Sequence, residues 1–269
     1  GVQILFFLVA AFAPLGAQQL VFEEFGFDRG LGNSAINCLL EDSRGFLWVG
    51  TMSGLYRGLG ERFERFGEAD GLPDETIQSL VEDRQGRLWA ATRRGVAWRE
   101  QGRFRPAAFS RPVQIFGRRA LAFSPDGRVF AATEQGLFSS STGGSVRFEP
   151  HPLPDPPGQS QVDAVFVAPD GALWISARKA LWRLQDGRLE MWGPTRGVPV
   201  TRWDDFLIDR DGSLWVRGAN SLIVLRRGAA FFQEQTGPLP HSGFFGSLAL
   251  DREGRLVVPT DNGLFVRAP

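Results

Sequence analysis

A glycine recurs at near-constant spacing along this chain, each time between a short polar cluster and an apolar strand. The positions are Gly45, Gly86, Gly127, Gly171, Gly212 and Gly254, separated by 41, 41, 44, 41 and 42 residues. One block repeats six times around them, with copies such as Glu41-Asp42-Ser43-Arg44-Gly45-Phe46-Leu47-Trp48-Val49-Gly50-Thr51 and Arg210-Asp211-Gly212-Ser213-Leu214-Trp215-Val216-Arg217. The segments are short, rich in Phe, Trp, Val and Ile, and bounded by Gly, Pro, Asp and Ser. No 3.6-residue periodicity recurs, which argues against a helical solenoid of similar period. A period of about forty residues with this strand content is that of a four-stranded propeller blade. The expected fold is all-β: a β-propeller of about six four-stranded blades.

The first repeat resolves into strands at about residues 36–41, 46–51, 55–57 and 62–66, named A to D from here on. The glycine between A and B is expected at positive φ in a tight turn. A second glycine (Gly54, Gly95, Gly136, Gly263) opens strand C, whereas Ala180 and Ser221 stand there in the fourth and fifth repeats and predict differently built turns. The last repeat ends on Gly263-Leu264-Phe265-Val266, a strand C without its D. Leu20-Val21-Phe22-Glu23-Glu24-Phe25 reads as a strand D without its blade. Pairing the two would complete the sixth blade with an N-terminal strand and cover its open edge. An arc of a seven-bladed or larger ring is the alternative.

The two ends of the composition scale are excluded. The formal net charge is zero and 43% of residues are apolar, which speaks against disorder and against nucleic acid as a partner. Residues 1–19 read separately from the propeller domain at 20–269. Ile4 to Ala13 is an uncharged apolar run followed by Pro14-Leu15-Gly16-Ala17, which reads as a signal peptide cut after Ala17 and implies a periplasmic or secreted domain. An uncleaved anchor or a buried strand are the alternatives. The missing initiator Met is expected of a sequence that begins inside its reading frame. The lone Cys38 lies in an apolar stretch and is expected in the core, not as a nucleophile.

Residues 30–55 contain Gly30-Leu31, Asn33, Glu41-Asp42, Gly45, Leu47-Trp48-Val49-Gly50-Thr51 and Gly54-Leu55. Residues 70–96 repeat them as Asp70-Gly71-Leu72, Glu82-Asp83, Gly86, Leu88-Trp89, Thr92 and Gly95-Val96. This pattern closely resembles the two-component regulator propeller repeat. The resemblance weakens downstream: Val129-Phe130 and Leu256-Val257 replace Leu-Trp, and the Asp-Gly-Leu lead-in fades after the second copy. It implies the extracytoplasmic sensor portion of a two-component-type signalling protein, and several proteins with such repeats recognise polysaccharide fragments. No kinase motif occurs in the chain, so a membrane-tethered signalling domain would lie beyond Pro269, and a homodimer is compatible with that arrangement.

The strand B tryptophans Trp48, Trp89, Trp174 and Trp215 recur at a fixed place and are expected to pack between blades. Glu41-Asp42 and Glu82-Asp83 are expected to accept hydrogen bonds from the A–B turn. Ligand contacts belong on the face formed by the B–C and D–A loops, which converge on the central axis. The candidates are Arg93, Arg94, Glu134, Arg178, Lys179, Arg217, Asn220, Asp261 and Asn262 from B–C loops, with Trp203 as an aromatic platform and His241 from D–A loops; Asn33, Asp74, Arg118, Arg119 and Arg202 share those D–A loops. Their basic surplus suggests a small, acidic or partly acidic oligosaccharide as ligand. No catalytic residue, metal or cofactor is expected. The competing functions are a protein-interaction scaffold and an enzyme resembling the streptogramin lyases, which would need His241 or His151 beside a carboxylate at the axis. His151 is expected in a stiff surface loop within the Pro-rich residues 150–158.

Overall fold

The computed structural model describes residues 25–33, 35–140, 146–153, 161–235, 247–261 and 263–267. Six antiparallel sheets follow one another along the chain, and four of them are ordered A-B-C-D with no crossover. Blade one consists of Ile36–Glu41, Leu47–Thr51, Gly54–Leu59 and Arg62–Phe66, and blade two of Ile77–Glu82, Leu88–Thr92, Gly95–Glu100 and Arg103–Pro106. Blade four is Val162–Val167, Leu173–Ala177, Ala180–Gln185 and Arg188–Trp192; blade five is Trp203–Ile208, Leu214–Gly218, Leu222–Leu225 and Gln233–Glu234. Blade three (Leu121–Phe123, Val129–Thr133, Gly136–Ser140, Arg147–Pro150) carries a fifth strand that the repeat does not announce. Ala108–Phe109 runs parallel to its strand D, and Phe109 stacks on Phe148 at 4.6 Å. Blade six shows strands A to C, Ala249–Leu250, Leu256–Thr260 and Gly263–Val266.

The turn chemistry follows the glycines. All six A–B glycines have φ between 72° and 85°. In blade four, where Ala180 replaces the strand C glycine, Arg178 and Lys179 both adopt positive φ, 52° and 60°, to make the tight turn. The D–A connection is a short 3₁₀ turn ended by a left-handed glycine, at Glu68–Asp70 with Gly71 and at Pro194–Arg196 with Gly197. A Cβ at either glycine would lie 2.0 Å from a carbonyl oxygen, that of Phe104 or Phe232 in the next blade, so only glycine fits. Gly197-Val198 thus preserves the lead-in geometry where its sequence looked eroded. The turn Phe27–Arg29 with Gly30 repeats it ahead of blade one.

Asp42, Asp83 and Asp209 each clamp an A–B turn. One carboxylate oxygen accepts two turn N–H groups, and the other accepts the indole N–H of the strand B tryptophan: Trp48 at 2.8 Å, Trp89 at 2.9 Å and Trp215 at 2.7 Å. Burial alone would raise the carboxyls of Asp42 and Asp83, but these donors hold both below the usual range. Glu82 does not join the clamp; it reaches across to the blade one turn, accepting from Ser43 N–H and Oγ.

The core lies in the seams. Trp48, Trp89, Trp174 and Trp215 are at most 2% exposed, and each packs on strands of the following blade. Burying one such side chain removes on the order of 200 Å² from water, worth roughly 5 kcal/mol as an upper estimate. Five seams have substantial apolar clusters. At the sixth, between blades six and one, the described residues give a small cluster of Leu31, Val49 and Tyr56, and Leu264, Phe265 and Val266 are exposed. Phe25 packs edge-on against Phe63 there, at 5.8 Å. The remainder of the expected closing strand, residues 20–24, and the apolar segment 1–19 lie outside the described residues.

Candidate ligand-binding site

Strands A surround a central channel of about 740 Å³, walled by residues of blades one, two, three, four and six, among them Leu39, Leu80, Leu121, Val165 and Leu248. Side chains on such strands normally face the neighbouring blades. A β-bulge changes this at the same point in four blades, between Ile36 and Cys38, Ile77 and Ser79, Val162 and Ala164, and Trp203 and Asp205. The extra residues are Asn37, Gln78, Asp163 and Asp204, all polar; a bulge re-aims the side chain it carries. Because strand A begins at the D–A loops, these four lie toward the face expected to bind ligand, and Asn37 lines the channel itself.

Charges cluster on the side of the mouth made by blades three to five. Arg202 pairs with Asp204 at 2.7 Å and with Asp163 of blade four at 3.3 Å. Burial raises both carboxyls, that of Asp163 to about 6, against the pull of Arg202. Burial lowers Arg118 and Arg217, while Asp204 opposes the shift in each. Beneath them Arg119 reaches from blade three past blade four to Asp205 of blade five, whose other oxygen accepts the Leu248 N–H of blade six. Asp205 is 3% exposed and ties three blades together at the axis.

Among the buried side-chain atoms of this region that have no hydrogen-bond partner in the described residues are one of Arg217 and one of Asp204. Arg217 is 6% exposed, and its buried Nη1 has no acceptor. Asp204 Oδ2 is buried and has no donor. Leaving such groups unpaired costs on the order of 1–3 kcal/mol each. Beside the channel the protein thus leaves one strong donor and one strong acceptor unused.

The other candidates sit farther out. Arg93, Arg94, Glu134, Arg178, Lys179, Asn220 and Asp261 are exposed on loops of this face. Arg94 is tied to the buried Asp74 at 2.8 Å, and Arg93 lies over the Phe116 ring at 5.0 Å. His241 and Asn262 lie outside the described residues. The expectation for Trp203 is overturned. It is fully buried between blades four and five, because it is the first strand A residue, opposite Gly218, and has the place that Ile36, Ile77 and Val162 fill in other blades. It is core, not a platform. Burial pushes the Cys38 thiol up to about 12, so it is not a thiolate near neutral pH. His151 lies on the outer half of blade three, with Nδ1 3.0 Å from Ser139 Oγ and its ring against Phe130.

A family model described as the two component regulator propeller matches residues 30–53 and 71–94, the two best copies of the repeat. These are two-component regulator propeller repeats. The same fold recurs in the extracellular domain of BT4673 from B. thetaiotaomicron, described as a one-component or hybrid two-component system. That domain superposes with a TM-score of 0.67 at 20% identity over 89% of this chain and 33% of the other. Virginiamycin B lyase from Staphylococcus aureus superposes with a TM-score of 0.67 at 14% identity over 88% of this chain and 85% of the lyase. In sequence, a stretch of 76 residues is 36% identical to the photosystem II assembly lipoprotein Ycf48 of Parasynechococcus marenigrum, covering 26% of this chain and 22% of that one. The chain thus spans about a third of the BT4673 domain. The regulator propeller repeats account for blades one and two; the remaining blades carry the fold with the looser copies.

Proposed function

We propose that this chain is an extracytoplasmic sensor propeller of a two-component-type signalling protein and binds a small oligosaccharide at the axial mouth. The observation that carries this reading is the convergence there of Arg217 Nη1 and Asp204 Oδ2, buried without partners, beside Arg118, Arg202 and Asp163. Sugar hydroxyls both donate and accept, so an oligosaccharide can use both groups at once. The exposed Arg93, Arg178 and Lys179 around the rim would favour a sugar bearing a carboxylate or sulfate. The regulator propeller repeats, and the likeness to an extracellular domain described as belonging to a one-component or hybrid two-component system, support the signalling role.

Thermal-shift screening of the purified chain against neutral and acidic oligosaccharides tests it, since a ligand that binds only the folded form raises the melting temperature. A saturable rise with one sugar, lost in Arg217→Gln, is expected. No rise across the panel would favour the scaffold reading. The likeness to a lyase raises an enzymatic reading, but His151, held by Ser139 and Phe130 of strands C and B, lies away from the axis, which leaves that chemistry without a described histidine at the mouth.

A further inference from the structure

The blade four–five seam departs from the blade one–two seam at a set of corresponding positions. Aligned on Gly45 with Gly171 and Gly86 with Gly212, the clamp aspartate Asp42 corresponds to Ala168, Ser43 to Pro169, Phe46 to Ala172, Glu82 to Ile208 and Arg99 to Leu225. At the first seam these residues fill the space. Asp42 holds the Trp48 indole, Glu82 bonds to Ser43, and Arg57 and Arg99 lie over Trp48 and Phe66 at 5.4–5.7 Å. At the second seam Arg183, the counterpart of Arg57, still lies over Trp174 at 5.8 Å, but the counterparts of Asp42, Ser43, Glu82 and Arg99 are apolar, and those of Asp42, Phe46 and Arg99 are smaller. A cavity of about 850 Å³ opens on the A–B turn side, opposite the channel mouth.

Its floor is aromatic: Trp174 and Trp192 meet at 5.2 Å and both pack edge-on against Phe232. The strand B indole of blade four has lost its carboxylate. Among the described residues Trp174 Nε1, on the cavity wall, has no acceptor, and Trp192 Nε1 is buried with none in a side chain 5% exposed. Trp192 stands where blade one has Phe66, so its N–H is an addition to this seam. Arg183 and Arg196 line the cavity paired to Asp170 and Glu190 at 2.9 and 3.5 Å, whereas Arg226 and Arg227 at its edge make no ion pair among the described residues. The local charge balance is positive.

We propose that this seam is a second ligand site, which takes a small ring-bearing carboxylate whose anionic group replaces the missing clamp aspartate and accepts from the indole N–H groups of Trp174 and Trp192. The repeat itself supplies the precedent: in three other blades a carboxylate occupies this place and accepts from the corresponding indole. The ring portion would lie against Ile208 and Leu225, and the rim arginines would favour the negative charge.

The probes are phenylacetate and its uncharged amide, phenylacetamide, titrated into the isotopically labelled chain while the indole N–H resonances of its eight tryptophans are followed. Phenylacetate is expected to shift two of them saturably, and Trp192→Phe to remove one and weaken binding on the order of tenfold. Ala168→Asp restores the internal carboxylate, so it is expected to raise the melting temperature and abolish the response. The proposal is overturned by equal response to phenylacetamide, by absence of any indole shift, or by unchanged affinity in either variant. Should Ala168→Asp fail to fold, Trp192→Phe, which keeps an aromatic ring as at Phe66, decides alone.

Discussion

Replacing Asp205 by Ala removes the acceptor that joins blades three, five and six at the axis. The variant leaves two donors behind: the Arg119 guanidinium, about a third exposed, and the backbone N–H of the buried Leu248. Hydrogen bonds to charged groups contribute about 1.5–3 kcal/mol each, and breaking a buried ion pair from one side costs about 3–5 kcal/mol. Arg119 can partly rehydrate, which keeps the expected loss near the middle of that range, about 4 kcal/mol. For a domain of this size each kcal/mol lowers the melting temperature by roughly 2–4 °C, so Asp205→Ala should melt on the order of 10 °C below the parent. Asp205→Asn keeps one acceptor and should lose about half as much. Differential scanning calorimetry on the parent, both single variants and the Arg119→Ala, Asp205→Ala pair gives the coupling energy directly. A melting temperature for Asp205→Ala within about 2 °C of the parent would refute the reasoning, as would strict additivity with Arg119→Ala.

Three further outcomes follow from the same geometry. Asp83→Ala removes the acceptor of Gln85 N–H, Arg87 N–H and the Trp89 indole, and should cost about 3 kcal/mol in urea unfolding while Trp89 fluorescence shifts red. Gly71→Ala places a Cβ against the Phe104 carbonyl at a φ of 98° and should cost more than about 2 kcal/mol in the same assay, with Gly60→Ala, which meets no neighbour, as the milder positive-φ control. Asp163 has its carboxyl raised from 3.8 to about 6 by burial, so the folded chain binds more protons than the unfolded one between those values. This contribution to stability is full below about pH 4 and is lost as pH rises through 6, a difference of about 3 kcal/mol; Asp163→Asn should flatten that part of the stability–pH curve.

The period of the A–B glycines was enough to place the blades, because a left-handed turn residue and an inward tryptophan are both local requirements that each blade meets in its own sequence. The clamp was half legible: Asp42 and Asp83 sit where turn acceptors belong, but their bond to an indole six residues later depends on strand register. What the sequence hid is what depends on ring closure. Arg119 and Asp205 are far apart in the chain, and only the curvature of the ring brings them together. Trp203 reads from the sequence as a D–A loop residue, whereas it opens strand A of blade five; aligning it with Ile36, Ile77 and Val162 marks it as core. Arg118 and Arg202 ahead of strand A and Arg217 at the end of strand B were legible from the repeat, but the bulges at Asp163 and Asp204 leave no mark except a polar residue after an apolar one.

A glycan array probed with the labelled chain tests most directly whether a sugar binds at the mouth of the channel. The parent chain, Arg217→Gln at the mouth and Arg84→Gln on the opposite turn face would be compared on the same array. Binding to one class of oligosaccharide by the parent and Arg84→Gln, and none by Arg217→Gln, is the predicted result. Equal binding by all three, or loss in Arg84→Gln alone, would contradict it.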